Sequence, residues 1–320
     1  MRICHIGHGV LTIPPKGWGA VESLIWDYKY WIEQLGHECV IVNARQTQQA
    51  AKMAAALSPD IVHIHFEQHF GIAETVGAKA SILCSHWPWL FEPGQASVAV
   101  KLFAGCSHIA CLSERVRQRL LGLGIDPPRL FLVKNGARSD LYRFTDNAKF
   151  AGRSICLGAI RQRKRQHVIQ HIDSIDFVGP RGDPGFDSFD YSRLNYLGPW
   201  SKDNTYCHLT DYASLVLVSE AEVAPLVTCE ALMAGLGVVV SEAAAVNLDP
   251  TRPFVSVIPE ARIADPSYVK QVIEENRQTS LSMRPEIRQY AVAEFDWKKL
   301  VRQYLSHCEW MLRGNGASGP

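Results

Sequence analysis

Long apolar runs, paired cysteine motifs and an excess of charge of either sign are all missing from this sequence. No apolar run approaches the roughly 20 residues that a membrane-spanning helix needs. The 33 basic and 32 acidic side chains leave a formal net charge of +1, which gives no electrostatic reason to expect nucleic acid as a partner. These absences argue against an integral membrane protein and against a nucleic-acid-binding protein.

The nine cysteines include no Cys-x-x-Cys pair, and several lie in apolar runs where a free cysteine behaves as a small hydrophobic side chain. We therefore expect reduced thiols and a cytoplasmic protein, with peripheral contact to the inner face of a membrane left open. The N-terminus leads directly into an apolar run, so we expect no signal peptide. Gly7 and Gly9 then precede Leu11-Thr-Ile-Pro rather than a helix start, which argues against a dinucleotide oxidoreductase.

Short apolar runs alternate with longer amphipathic segments along the whole chain. This alternation is typical of parallel sheets whose strands are joined by crossover helices. The length of 320 residues favours two domains over one. The predicted strands are Arg2–Ile6, Glu38–Val42, Ile61–His65, Ala80–Cys84, His108–Leu112 and Leu130–Val133 in the first half, and Ser154–Leu157, Ile175–Val178, Asn195–Leu197, Ser214–Val218, Leu236–Ser241 and Phe254–Val257 in the second.

A polar stretch with several chain-breaking residues separates the two halves. We predict one Rossmann-like domain over residues 1–136, a linker over 137–152 and a second Rossmann-like domain over 153–295. The second domain is expected to be trimmed, because residues 158–198 are few for this architecture. Residues 285–312 form one long helical pattern, of which 296–313 are assigned to a C-terminal helix and 314–320 to a flexible tail.

The most informative segment of the chain, residues 219–241, contains two carboxylates eight positions apart. Glu222 lies on a loop after a predicted strand, and Glu230 lies in the helix that follows. Pro225 suits the first helical position, where its missing N–H costs nothing.

The start of the same helix also favours anions. The N–H groups of Leu226 and Val227 have no carbonyl partner within the helix, so they can bind a phosphate group. The segment thus offers amides for phosphate and carboxylates for hydroxyl groups, and a sugar nucleotide presents both.

This segment resembles the Glu-x7-Glu signature of retaining glycosyltransferases of the family-4 type, also called group 1 glycosyltransferases. Two positions depart from the family pattern, because Val223 replaces a Gly and Gly237 replaces a Pro. The resemblance implies the α/β fold known as GT-B, in which two Rossmann-like doubly wound parallel-sheet domains face a cleft and a C-terminal helix crosses back to the first domain. The first domain would bind the acceptor and the second the nucleotide-sugar donor. The matching residues are Glu222, Pro225, Leu226, Glu230, Ala231, Gly235, Val238 and Val239.

The loop after the first strand resembles the family's glycine-rich donor loop, which faces the pyrophosphate and the transferred sugar. Gly17, Gly19 and Glu22 match that loop, whereas Ala20 replaces the second of its paired glycines. Taken alone, the same residues are also consistent with a plain tight turn.

Residues 156–164 resemble the family's Gly-Arg-Leu-x-x-x-Lys segment, in which cations stabilise the departing diphosphate. Gly158 and Lys164 match, Ala159 replaces the expected Arg, and Arg161 is a candidate to substitute for it. The resemblance implies that Lys164 and Arg161 bind the donor phosphates. A solvated basic loop, or a loop that touches anionic lipid, is the alternative.

A histidine, His86, follows the fourth predicted strand, where relatives often carry a histidine near the donor sugar. A histidine that merely caps the strand is equally consistent with the sequence. The aromatic residues of the adjoining segment 87–91 favour core or interdomain packing over a platform for an acceptor sugar or lipid.

Three nearby histidines, His63, His65 and His69, have a spacing that could suit a metal. Relatives commonly show the same Asp-x-x-His-x-His pattern without a metal, and the sequence has no Asp-x-Asp motif. We therefore predict neither a metal nor another cofactor.

The resemblance implies a metal-independent retaining glycosyltransferase that moves a hexosyl or related sugar from a nucleoside diphosphate sugar to a hydroxyl of a glycan, lipid-linked or small-molecule acceptor. Glu230 would bind the ribose, Glu222 would orient the donor sugar, and Lys164 with the helix amides would bind the diphosphate. The candidate catalytic residues are Glu222, His86 and Lys164. Two alternatives stay open: an inactive scaffold or binding subunit, and a nucleotide-sugar epimerase on the same fold.

Overall fold

A computed structural model describes residues 1–92 and 94–313 of the chain, which separate into two compact units. The first unit comprises residues 1–15, residues 19–135 and the segment that begins at Trp297. The second comprises residues 16–18 and 136–296. The tail predicted over residues 314–320 lies outside the described residues.

The first unit is built on a six-stranded parallel sheet with the strand order β2-β1-β3-β4-β5-β6. Its strands are nearly continuous apolar runs because helices cover both faces of such a sheet; every residue of the third, fourth and fifth strands is buried. The strands are β1 (Arg2–Gly7), β2 (Glu38–Asn43), β3 (Ile61–Ile64), β4 (Ala80–Cys84), β5 (His108–Cys111) and β6 (Leu130–Leu132), and the helices between them are α1 (Ala20–Gln34), α2 (Thr47–Ala56), α3 (Ile72–Thr75), α4 (Ala96–Ala104) and α5 (Glu114–Gly122).

The second unit contains a five-stranded parallel sheet with the order β11-β10-β9-β7-β8. The central strand β9 is buried along its whole length, and its carboxyl end leads into the loop that carries Glu222. The strands are β7 (Phe150–Leu157), β8 (Ile175–Val178), β9 (Tyr212–Leu217), β10 (Gly237–Ser241) and β11 (Val255–Ile258), and the helices are α6 (Gln166–Ile169), α7 (Lys202–His208), α8 (Leu226–Met233), α9 (Pro266–Ser282) and α10 (Arg284–Phe295).

The prediction of a strand over Asn195–Leu197 is wrong. This segment exchanges two backbone hydrogen bonds with Phe177 of β8 and forms only an isolated bridge there. Gly198, whose φ is +74°, turns the chain away before the pairing can extend. No helix occurs among the described residues between β8 and α7, in keeping with the short sequence of this region.

The long helical pattern at the C-terminus forms two helices rather than one. The break falls at Asp296, whose backbone is extended (φ −68°, ψ 122°). Beyond it lies α11 (Trp297–Leu312), in which Trp297 and Tyr304 pack their rings 5.2 and 5.0 Å from that of Tyr28 on α1. Throughout the described ranges, every helix is too short or too polar to traverse a lipid bilayer.

Candidate donor site and its surroundings

Glu222 lies at the centre of a charged cluster in the second unit. Its carboxylate oxygen Oε1 accepts a hydrogen bond from Ser219 Oγ at 2.8 Å. Lys164 Nζ lies 3.3 Å and Arg163 Nη1 3.5 Å from the same oxygen. Two cations and a hydroxyl group thus surround one carboxylate, of which 9% is exposed.

Two glycines explain how the lysine reaches this position. Gly158 follows β7 with a φ of +147°, and a Cβ there would lie 3.4 Å from Lys164 Nζ. Gly179 follows the neighbouring strand β8, and a Cβ there would lie 1.9 Å from the Gly158 carbonyl oxygen. The ends of β7 and β8 therefore approach so closely that only glycine fits at position 179. The Lys164 amine lies next to the backbone at Gly158.

The environment of Glu222 determines its ionisation. Burial alone would raise the pKa of this carboxyl, but Lys164, Arg163 and the Ser219 hydrogen bond together outweigh burial and hold the pKa below its usual value. Glu222 is therefore ionised at neutral pH. An ionised carboxylate accepts hydrogen bonds from hydroxyl groups and cannot act as a general acid.

Glu230, the second carboxylate of the motif, lies on α8 and forms an ion pair with a residue that sequence reasoning missed. Lys202 Nζ, at the start of α7, donates to Glu230 Oε1 at 2.7 Å. Pro225 precedes α8 instead of occupying its first position, and Thr228 Oγ1 donates to its carbonyl oxygen at 2.8 Å. The first amides of α8 have no acceptor within the helix, as expected from the sequence.

The arginines of the basic segment before α6 are engaged in ion pairs, several of them with half-exposed carboxylates. Arg161 pairs with Asp183 at 3.7 Å, whereas Arg165 pairs with two carboxylates, Glu220 at 3.1 Å and Glu260 at 2.5 Å. Arg163, rather than Arg161, accompanies Lys164 at Glu222. The sequence contained one signal for this choice, because Arg163 adjoins the lysine that matches the family segment.

The glycine-rich loop before α1 ends at Gly19, which has a φ of +150°. A Cβ there would lie 3.0 Å from both Glu22 Oε2 and the Pro15 side chain, whereas Gly17 has open space around it. Burial raises the pKa of Glu22 above its usual value. Gly19 is thus required by its backbone, and Gly17 is not.

His86 belongs to a row of hydrogen-bonded imidazoles in the first unit. Its Nε2 lies 3.1 Å from His65 Nδ1, and His65 Nε2 lies 2.8 Å from His5 Nδ1. Burial lowers the pKa of His5 to about 3 and that of His86 to about 4, and holds that of His65 well below its usual value. All three rings are therefore neutral at physiological pH.

The histidines that could bind a metal are not the three that the sequence suggested. His5 joins His63 and His65 in a group whose ligand atoms all lie within 4.8 Å of one another, whereas His69 bonds to Thr47 Oγ1. Two nitrogens on one tetrahedral zinc would lie roughly 3.3 Å apart. The 2.8 Å between His5 and His65 fits a shared proton better.

The aromatic segment after His86 is only partly core. Leu90 is buried, and Trp89 Nε1 donates to Glu67 at 2.6 Å. Trp87 leaves 42% of its surface exposed, so the prediction of packing fits Leu90 better than Trp87.

Comparison with known proteins gives matches at two levels. Residues 28–141 match the sequence model of a family described as Glycosyltransferase Family 4. No curated protein matches this chain in sequence. Among solved structures, sucrose-phosphate synthase from Thermosynechococcus elongatus superposes with a TM-score of 0.76 at 12% identity, covering 98% of this chain and 99% of that one.

Two further structures are similar over nearly their full lengths. AviGT4, a glycosyltransferase involved in avilamycin A biosynthesis, has a TM-score of 0.71 at 15% identity and covers 98% of each chain. HepE from Anabaena, solved in complex with UDP and glucose, has a TM-score of 0.71 at 16% identity, covering 97% of this chain and 99% of that one. The protein has the GT-B fold. The family match confirms the resemblance to group 1 glycosyltransferases, and it lies in the half of the chain that does not contain the Glu-x7-Glu motif.

Two departures from the family pattern, Ala20 and Gly237, have structural explanations. Ala20 is the first residue of α1 and keeps a negative φ, so a second glycine after Gly19 is not needed for the turn. Gly237 begins β10, where a Cβ would lie 1.8 Å from Ser280 Oγ of α9. Val223 is buried. None of these three residues removes a charged group from around Glu222.

Proposed function

We propose that the protein is a metal-independent retaining glycosyltransferase that moves a hexosyl or related sugar from a nucleoside diphosphate sugar to a hydroxyl of a glycan, lipid-linked or small-molecule acceptor. The observation that carries this proposal is the buried, ionised Glu222 held by Lys164, Arg163 and Ser219 in the loop that leads to the N-terminus of α8. One region of the second unit thus combines cations and helix amides, which can bind phosphate, with a carboxylate that can accept hydrogen bonds from sugar hydroxyls.

Each candidate residue has a role that fits its surroundings. Glu230 accepts the ribose hydroxyls, since its bond to Lys202 engages only Oε1. Lys164 and the amides of Leu226 and Val227 bind the diphosphate, with Arg163 beside them. Glu222 accepts a hydrogen bond from the donor sugar and orients it.

The proposed chemistry is a front-face substitution. Glu222 is fixed by two cations, which makes it a better hydrogen-bond acceptor than a nucleophile. The bond from the anomeric carbon to the diphosphate breaks while the acceptor oxygen attacks from the same face. The departing phosphate oxygen takes the acceptor proton, and Lys164 stabilises the charge that develops on the phosphate. HepE, a structural neighbour, was solved with UDP-glucose, which supports a nucleotide sugar as the donor.

Calorimetric titration with UDP, GDP, ADP and TDP tests donor binding. We expect one nucleotide to bind, and Glu230→Ala to weaken it at least tenfold, because two hydroxyl–carboxylate hydrogen bonds are lost. Glu286→Ala, which removes an exposed carboxylate on α10, is the matched control. Absence of binding by every nucleotide at millimolar concentration would overturn the proposal.

A transfer assay with the sugar conjugate of that nucleotide tests turnover. NMR of the product anomer tests retention, and an inverted product would contradict it. Nucleotide binding without donor consumption would favour the inactive scaffold. Conversion of the donor to another nucleotide sugar, with no acceptor present, would favour the epimerase.

A further inference from the structure

The three histidines His5, His65 and His86 form a continuous row from the buried strand β1 to the residue that follows β4. Successive rings are linked by nitrogen pairs 2.8 and 3.1 Å apart. Their planes are nearly parallel, with interplanar angles of 18° and 24°. The row connects the core of the first unit to His86, the histidine for which the family resemblance implies a place near the substrate.

A neutral imidazole carries a single N–H, and each linked nitrogen pair needs one donor and one acceptor. Only two proton arrangements therefore satisfy both links. Either all three rings carry the proton on Nδ1, or all three carry it on Nε2. The tautomer of His86 is thus tied to those of His65 and His5.

The buried end of the row decides between the two arrangements. His5 Nε2 is buried and has no hydrogen-bond partner among the described residues. With the proton on Nε2, the row would end in a buried N–H that points at no acceptor. With the proton on Nδ1, the row ends in a bare acceptor nitrogen. Buried N–H groups without a partner are rarer in proteins than unpaired acceptors, so the Nδ1 arrangement is favoured.

We propose that His5 and His65 are positioning residues that hold His86 as the Nδ1–H tautomer, so that its outer nitrogen is a fixed hydrogen-bond donor to a hydroxyl oxygen of the substrate that binds the first unit. The outer Nδ1 of His86 has no partner among the described residues and is not fully buried, so it is accessible to such a ligand. The assignment of the ligand rests on the proposed function, whereas the tautomer itself does not.

The tautomers are read directly from the ¹⁵N shifts of the imidazole rings in a long-range ¹H–¹⁵N correlation spectrum of the full chain at pH 7.5, without any ligand. We expect His5, His65 and His86 to carry the proton on Nδ1. A spectrum in which His86 carries it on Nε2, or exchanges between both nitrogens, would overturn the proposal. The wild-type spectrum decides this point even if every variant misfolds.

Variants separate the row from its neighbours. His65→Phe removes the partner of His86, so His86 should become a mixture of tautomers. His63→Phe is the matched control, because His63 is equally buried, stacks on His65 at 4.1 Å and bonds to Tyr304 rather than to the row. It should leave the tautomer of His86 unchanged.

Activity supplies the second readout. With a transferable donor, His65→Phe should lower kcat/KM about tenfold, the effect of one hydrogen bond, while the affinity for the free nucleoside diphosphate stays constant. His63→Phe should preserve both. Unchanged kcat/KM in His65→Phe would refute the link to the substrate. If no nucleotide binds the wild type, the proposed function fails, and the tautomer measurement still stands on its own.

Discussion

Acidification should destabilise the first unit selectively. Four histidines there, His5, His63, His65 and His86, have pKa values lowered by burial, to about 3 for His5 and about 4 for His86, and well below the usual value for the other two. In the unfolded chain a histidine binds its proton near pH 6.5. Among the described residues, all the histidines that are buried belong to the first unit, whereas in the second unit burial lowers the pKa of His167, whose side chain is only partly buried.

The sign and size of the effect follow from these values. Because the unfolded chain takes up protons that the folded chain excludes, stability is retained above pH 6.5 and falls as the pH drops toward the folded pKa values. Between pH 7.5 and 5.5 each histidine lowers the free energy of unfolding by about 1.4 kcal/mol. Four such groups lower it by about 5 kcal/mol, which is comparable to the whole stability of many domains.

Hydrogen exchange measured by mass spectrometry can follow each unit separately. After correction for intrinsic exchange rates, the amides of β1, β3 and β4 should lose protection at pH 5.5, whereas those of β9 should not. His63→Phe should reduce the pH dependence by about a quarter, and substitution of the exposed His171 by Asn should leave it unchanged. Equal losses in both units, or no loss at pH 5.5, would refute the reasoning.

Two further changes test single contacts. Gly237→Ala places a Cβ 1.8 Å from Ser280 Oγ, so it should lower the free energy of unfolding by about 1–3 kcal/mol. Denaturant unfolding measures this change, and an unchanged midpoint would mean that α9 moves aside at no cost in free energy. Lys202→Ala frees Glu230 from a partly exposed ion pair, which is worth up to about 1 kcal/mol. The nucleotide that binds the wild type should therefore bind the variant up to about fivefold more tightly in a calorimetric titration. Weaker binding would instead show that Lys202 contacts the nucleotide.

Most strands of the two sheets could be predicted from the sequence, because a buried parallel strand is a short continuous apolar segment. Ala80–Cys84 and Ile175–Val178 were predicted with their observed bounds. Asn195–Leu197 also has the pattern of a strand. Its pairing with β8 stops after a single bridge, because the chain turns away at Gly198. A local pattern does not contain that information.

The candidate site shows the same division between local and long-range information. Lys164 and Glu222 could be identified by spacing within short motifs, and the structure brings them to 3.3 Å. Arg163 adjoins Lys164 in sequence, but this adjacency alone does not exclude Arg161, because the choice also depends on Asp183, which lies about twenty residues downstream and pairs with Arg161. His5 and Lys202 were missed for the same reason, since each meets its partner through the sheet or across helices rather than along the chain.

The charge around Glu222 bears on how a carboxylate and a diphosphate can share one site. A carboxylate beside a leaving diphosphate would repel it, yet here two cations accompany one carboxylate, which leaves a local charge of about +1. The lysine lies 3.3 Å from Glu222, longer than a tight charge-assisted hydrogen bond. It can therefore turn toward a phosphate while Arg163 and Ser219 keep the carboxylate ionised and in place. Arg163 is anchored independently, because its Nη1 donates to the Ala221 carbonyl at 2.9 Å. Under the proposed function, Lys164 would stabilise the phosphate while Arg163 holds the carboxylate, which a lone cation could not do.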